Sequence, residues 1–326
     1  KMDLNIVPAT FVRDTLNAIR FDIQDERTNE KKGELKCEKP IEVLFEGADT
    51  NIYKPTKEFS KSLVDEMDKV DEKFNFLYVG HWLQGGLGND RKDTGMLIKV
   101  FCETFKNMKN KPGLIMKTSG AGFSVLDREV MLQKINEVKN SVKGDLPNIY
   151  LIHGDFTDEE INELYNHPKV KAHVSLTHGE GFGRPLLEAS LSEKPVMAPD
   201  WSGHVDFLRK PNAVMLSGAL SDVPKGSFPD DFHVDGMKWF TVNYQEASVR
   251  MKDIYKNYRK YTLGAKKLSM YNRGKFSLDE MTRQFGKILD KYVPEFAEEV
   301  KLELPKLNKV GETKAPEIKL PKLKKV

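Results

Sequence analysis

The sequence predicts an α/β fold built on a Rossmann-like, doubly wound parallel sheet, and three observations carry the prediction. Short apolar runs recur along the chain at Asn75–Val79, Leu114–Lys117, Asn148–His153 and Val170–Leu176, each followed by a loop and then a helical pattern. The last run enters a glycine-rich turn, Gly179-Glu180-Gly181-Phe182-Gly183, which opens into Arg184-Pro185-Leu186-Leu187-Glu188-Ala189. Proline in that first helical turn forfeits no hydrogen bond, and a second short strand, Pro195–Ala198, follows at once. Strand, glycine turn, helix and strand is a unit that leaves backbone N–H groups free at a helix start, where an anion binds well.

Two carboxylates flank the turn. Glu180 lies within it, and Glu188 comes eight residues later. With the helix starting near Pro185, the Glu188 side chain leans back toward the helix N-terminus. A carboxylate there is poorly placed against phosphate but well placed to accept hydrogen bonds from sugar hydroxyls. The geometry points to a nucleotide carrying a second polar group. Residues Glu180-Gly181-Phe182-Gly183, Pro185-Leu186-Leu187-Glu188-Ala189, Lys194-Pro195-Val196 and Ser202-Gly203 together resemble the donor-site signature of retaining glycosyltransferases of the GT-B fold, the large family-4 (group 1) set, with the E-x7-E spacing kept. A plain Rossmann-like turn with solvated glutamates would account for the glycines but not for the whole run.

In chain order, Leu4–Pro8 reads as a strand entering a loop and Thr10–Ile19 as a helix. By resemblance they close the N-terminal domain, and Ile41–Asp49 matches the family's interdomain linker strand. The resemblance covers roughly Leu4 to Lys260 and implies that most of the N-terminal domain precedes Lys1, leaving an N-terminally truncated enzyme. Residues 1–52 are then the end of the N-terminal domain and linker, 53–245 the nucleotide-sugar-binding domain, 246–295 C-terminal helices, and 296–326 a flexible Lys/Pro-rich tail.

After strand Asn75–Val79 and Gly80, His81 stands where the family has an arginine. A longer loop, Gln84 to Asp90, leads to Arg91 and Lys92; Lys92 matches the family's phosphate-binding lysine, and either Arg91 or Arg184 is left to supply the guanidinium fork. Met96–Phe105 is an amphipathic helix, and the loop Thr118–Gly122 falls at a strand C-terminus, where ligands of open α/β sheets collect. Thr157 is a helix cap with Glu160 at capping-box spacing. The resemblance brings the preceding segment to the nucleotide base and makes Phe156 its nearest residue, with a core role the alternative. Asp206 stands at a helix start, Gly218–Val234 reads as an irregular loop, and Gln245–Tyr261 and Ser277–Lys291 as helices.

The chain has 326 residues, room for about two domains, and a net charge of +3, too small to imply nucleic-acid binding. Lys301–Val326 alone carries eight lysines against three glutamates, so the rest of the chain is slightly acidic. In that tail Leu304–Val310 is echoed by Leu320–Val326, a plain disordered end or a short docking motif for a partner. Cys37 and Cys102 form no framework, which fits a reducing cytoplasm. No apolar run reaches the length of a membrane span. No histidine pairs with a carboxylate at metal-ligand spacing and there is no D-x-D, so no metal is implied. His178, just before the turn, reads as a structural histidine, with contact to the ligand the alternative.

The expected function is transfer of a sugar from a nucleotide-diphosphate sugar, a UDP- or GDP-sugar, with retention at the anomeric carbon and no cofactor beyond that donor. By resemblance Glu180 is the catalytic residue that handles the transferred sugar, Glu188 binds ribose hydroxyls, and the N–H groups around Gly181, Phe182, Gly183 and Arg184 hold the diphosphate. The acceptor, whether glycan, lipid-linked sugar, protein or modified nucleic acid, is not legible. A nucleotide-sugar epimerase of the same fold and a non-catalytic nucleotide-sugar binder are the alternatives. A nicotinamide dehydrogenase is disfavoured, because the turn lacks the G-x-G-x-x-G register.

Overall fold

The computed structural model describes residues 3–294 except Gln84, Ala121 and Lys210, and of Asp230 the backbone only. The tail repeat and the rest of 296–326 lie outside the described residues. The chain opens with β1 (Asn5–Val7), α1 (Thr10–Ala18), the hairpin β2 (Arg20–Gln24) and β3 (Lys31–Lys36), then β4 (Ile41–Val43), which pairs in parallel with β1. Next come α2 (Lys61–Asp68), β5 (Asn75–Val79), α3 (Thr94–Phe105), β6 (Gly113–Lys117), α4 (Val125–Asn140), β7 (Ile149–Ile152), α5 (Asp158–Asn166), β8 (Val170–Val174), α6 (Arg184–Ser190) and β9 (Val196–Pro199). The remainder is β10 (Val214–Leu216), the hairpin β11 (Gly218–Asp222) and β12 (Lys238–Val242), then α7 (Tyr244–Lys256), α8 (Arg259–Lys275) and α9 (Leu278–Tyr292).

Six strands form one sheet in the order β10-β9-β8-β5-β6-β7, and every neighbouring pair is parallel. Because side chains alternate along a strand, the two faces bury different residues. Phe76 and Tyr78 of β5 pack with Leu114 and Met116 of β6 under α3, α4 and α7. Leu77 and Ile115 face the other way, with Leu164, Leu187 and Leu268 from α5, α6 and α8. Strands covered on both faces read as nearly unbroken apolar runs, which is why the sequence exposes them so clearly. The chain winds outward from β5 through β6 to β7, then returns to lay β8 on the other side of β5. The switch between β5 and β8 opens a crevice at their C-terminal ends, where open α/β sheets bind ligands.

Five stretches differ from the sequence reading or escaped it. Residues 20–36 form an exposed hairpin that charged residues hid; its signal was the alternation of Phe21, Ile23 and Leu35, and Asp25 builds the turn by accepting the N–H groups of Arg27 and Thr28. Part of Gly218–Val234 is not irregular, since β11 pairs antiparallel with β12. The helix expected over Gln245–Tyr261 stops at Lys256, and α8 begins at Arg259. Asp206 ends a 3-10 turn (Gly203–Asp206) instead of starting a helix, and its carboxylate accepts the Thr10 N–H at 2.8 Å, capping α1 from across the fold. The strand expected over Ile41–Asp49 is also short: after β4 only Ala48 makes a bridge, to Ser277. The last helix returns to the first unit, where Lys291 and Tyr292 both reach Glu42 at 2.7 Å. Its Ile288 is buried while Leu278, Phe285 and Leu289 stay exposed.

Candidate donor site

The glycine turn after β8 is held by its own backbone. Ser202 Oγ accepts the Glu180 N–H at 2.9 Å, and the Gly203 N–H donates to the Glu180 carbonyl at 3.0 Å. Gly183 caps α6 in the left-handed region (φ 98°), a conformation that favours glycine. The N–H groups of Gly181, Phe182, Gly183 and Arg184 meet no acceptor among the described residues. The Phe182 ring points away from them. It is buried against Phe207 and Phe276, so this residue can offer a ligand its N–H and not its side chain.

The loop after β5 brings cations to the turn. Lys92 Nζ lies 2.6 Å from Glu180 Oε1, while the Arg91 guanidinium donates to the Gly179 carbonyl at 2.6 Å and stands 3.5 Å from Glu180 Oε2. Burial by itself would raise the Glu180 carboxyl, but the Lys92 and Arg91 charges outweigh it and hold the group below its usual range. Glu180 is therefore an ionised carboxylate beside an ammonium in a site largely closed to water. Glu188 is buried too, with its carboxylate 3.0 Å from Arg184. Its carboxyl is pushed up by burial against the opposing pull of Arg184.

A cleft of ≈ 630 Å³ runs over the ends of β5, β6 and β7, and His81, Arg91, Lys92, Phe156 and Pro185 line it. Lys117 ends β6 buried in the same cleft: Nζ donates to the Gly154 carbonyl at 2.7 Å and sits 4.8 Å from the Phe156 ring. Burial lowers its pKa, with Asp155 opposing. His81 meets Ser119 Oγ at 3.0 Å. Asp127 of α4 ties the neighbouring loops together by accepting the Gly120 N–H at 3.0 Å and bonding His153 at 2.8 Å. The expected site residues thus divide. His81, Arg91, Lys92 and Phe156 line the cleft, and Glu180 joins them through Lys92; Gly181, Phe182, Gly183, Arg184 and Glu188 are not part of its wall. Among the described residues no group of three or more His, Cys, Asp or Glu could hold a metal ion, and no helix is long and apolar enough to cross a membrane.

Behind Lys92 the structure holds a buried set that the sequence did not reveal. Asp93, fully buried in the left-handed region (φ 53°), accepts a hydrogen bond from Tyr244 Oη at 2.7 Å. His178 Nε2 lies 3.7 Å from Asp93 Oδ1, its Nδ1 bonds the Phe240 carbonyl at 2.8 Å, and its ring stacks on Trp239 at 3.8 Å. His178 is thus held by the Phe240 carbonyl and the Trp239 ring, and it does not line the cleft. Burial pushes the Asp93 carboxyl up to about 7, with the Tyr244 hydrogen bond opposing. The folded protein then holds a proton that the unfolded chain releases above the ordinary aspartate range. Stability is expected to fall as pH rises from about 4 to about 7 and to level off above that, by about 1.4 kcal/mol per pH unit at most from this group. Asp93→Asn should flatten the slope, read by urea unfolding across that window; an unchanged slope would mean that Asp93 is ionised throughout.

No protein-family model matches the chain, and no curated protein does either. Solved structures do. A structure of HepE from Anabaena in complex with UDP-glucose superposes with a TM-score of 0.54 at 16% identity, over 77% of this chain and 57% of that one. Sucrose-phosphate synthase from Thermosynechococcus elongatus gives 0.57 at 14% identity, over 89% and 58%. A glycosyltransferase from Rickettsia africae gives 0.54 at 17% identity, over 88% and 62%. The chain spans 57–62% of the length of these proteins. The likeness shows the fold: this α/β architecture matches that of GT-B glycosyltransferase structures.

Proposed function

We propose that the chain is the donor-binding part of a glycosyltransferase that moves a sugar from a UDP- or GDP-sugar to an acceptor with retention of anomeric configuration. The observation that carries the reading is the Lys92–Glu180 ion pair set against four N–H groups that meet no acceptor among the described residues, at the β5–β8 switch point. The diphosphate rests on the N–H groups of residues 181–184, and Lys92, bonded to Glu180 on one side, offers its remaining protons to phosphate oxygens. As the glycosidic bond breaks, negative charge grows on the leaving phosphate, and preorganised donors stabilise it there. Glu180, held ionised, accepts hydroxyls of the transferred sugar. The acceptor attacks the face that the diphosphate leaves, and the departing phosphate takes the acceptor's proton.

Glu188 serves the ribose in this reading. Arg184 covers it now, but that guanidinium is 52% exposed and can swing into solvent, freeing a carboxylate that is only 8% exposed. Incubation with UDP- and GDP-sugars, followed by proton NMR of the anomeric signal, tests the proposal. Release of nucleoside diphosphate with a product of unchanged anomeric configuration supports it. An epimerised sugar still attached to its nucleotide would replace transfer with epimerisation, and binding without turnover even when the acceptor-binding domain is supplied would leave a non-catalytic binder.

A further inference from the structure

Two buried hydroxyls on separate loops line the cleft without a hydrogen-bond partner. Thr118, just past β6, is 1% exposed, and its Oγ1 has no partner among the described residues. Ser227 is 3% exposed and its Oγ is likewise unpartnered. The neighbouring hydroxyls are engaged: Ser119 with His81, Ser202 with the Glu180 N–H. A buried hydroxyl left unpaired costs free energy, so two at one cleft call for polar groups that arrive with a ligand.

Ser227 comes from outside the parallel sheet. It sits in the loop joining β11 to β12, in a turn closed by its own N–H on the Pro224 carbonyl at 3.2 Å with Gly226 in the left-handed region (φ 83°). The next residue, Phe228, also lines the cleft, half-buried, and meets Trp239 edge-on at 6.4 Å; Trp239 is itself fixed by its stack on His178. The same cleft therefore offers two half-buried aromatic rings, Phe156 and Phe228, and two unpaired hydroxyls. Flat apolar faces and a polar edge are the chemistry of a nucleobase.

We infer that the loop between β11 and β12 is the base-selecting element of this site: Ser227, with Thr118, bonds the polar edge of the donor's base, and Phe228 covers its face. The inference rests on the nucleotide-sugar reading above and names the part of the ligand that this loop recognises. A hydroxyl can donate or accept, so it favours the base that places a polar atom within its reach, whereas a ring accepts the face of any base.

Titration calorimetry with UDP, GDP and ADP on wild type, Ser227→Ala, Thr118→Val and Phe228→Ala tests it, alongside thermal unfolding without ligand. Ser227→Ala and Thr118→Val should each weaken the preferred nucleotide about fivefold or more while weakening the others less, so that selectivity narrows. Their unliganded melting temperatures should hold or rise, since an unpaired buried hydroxyl has been removed. Phe228→Ala should weaken all three nucleotides alike. Hydroxyl variants that bind as the wild type does, or that lose all three nucleotides equally, would overturn the inference and leave the nucleotide-sugar reading standing. A wild type that binds none of the three overturns both.

Discussion

Lys92→Ala is expected to cost more stability and more donor affinity than the loss of any other cation in the cleft. Lys92 and Glu180 are 16% and 10% exposed, and they meet at 2.6 Å. Removing one partner of a buried pair strands the other, a loss of up to about 3–5 kcal/mol when nothing replaces it. Arg91 remains 3.5 Å from Glu180 but is 43% exposed, so a loss of about 2 kcal/mol is the expected outcome at neutral pH. The pH dependence follows from the same charges. With Lys92 gone, burial dominates and the Glu180 carboxyl rises above its unfolded value. The destabilisation is then full at neutral pH and shrinks as pH falls through the carboxylate range. Lys92→Ala combined with Glu180→Gln should recover stability without recovering nucleotide binding. Urea unfolding at two pH values and nucleotide titration separate the effects; a single variant as stable as wild type at neutral pH would show that the pair is solvated.

Gly203→Ala carries the second large effect. A Cβ there would stand 2.0 Å from the Gly181 carbonyl oxygen, 2.6 Å from its carbon and 2.9 Å from the Glu180 oxygen. These are backbone atoms of the donor turn, and the turn cannot retreat without breaking the Gly203–Glu180 hydrogen bond. The expected loss is about 3 kcal/mol or more, with nucleotide binding lost as the turn is displaced. Gly181→Ala is the control, because a Cβ at Gly181 meets nothing within 4 Å. Its stability should stay within about 0.5 kcal/mol of wild type. Similar melting temperatures for the two variants would contradict the close packing of the turn on residue 203.

What the sequence disclosed follows burial. β5, β6, β8 and β9 are covered on both faces, and their apolar runs stood out; the turn after β8 showed itself through its glycines and the proline of α6. The hairpin β2–β3 and the strand β11 are largely exposed, so charge and glycine masked their alternation, whereas β12 buries Trp239, Phe240 and Val242 in a run too short to stand out. Within the site, Lys92 and Glu180 were singled out by resemblance, and nothing local foretold that they pair. Phe182 belonged to the motif, yet its ring serves the core. Asp93 could not be read at all, since its hydrogen-bond partner Tyr244 lies 151 residues away. Ser227 and Phe228 were hidden too, in a loop whose composition says only that it bends.

The most direct test of the central claim is calorimetric titration of UDP, GDP, ADP and NAD into the wild-type chain, repeated on Glu188→Ala. The account predicts that one nucleoside diphosphate, UDP or GDP, binds well above the others, that NAD does not bind, and that Glu188→Ala weakens the preferred nucleotide. Binding of NAD in preference to the diphosphates, or binding by none of the four to a folded sample, would contradict it.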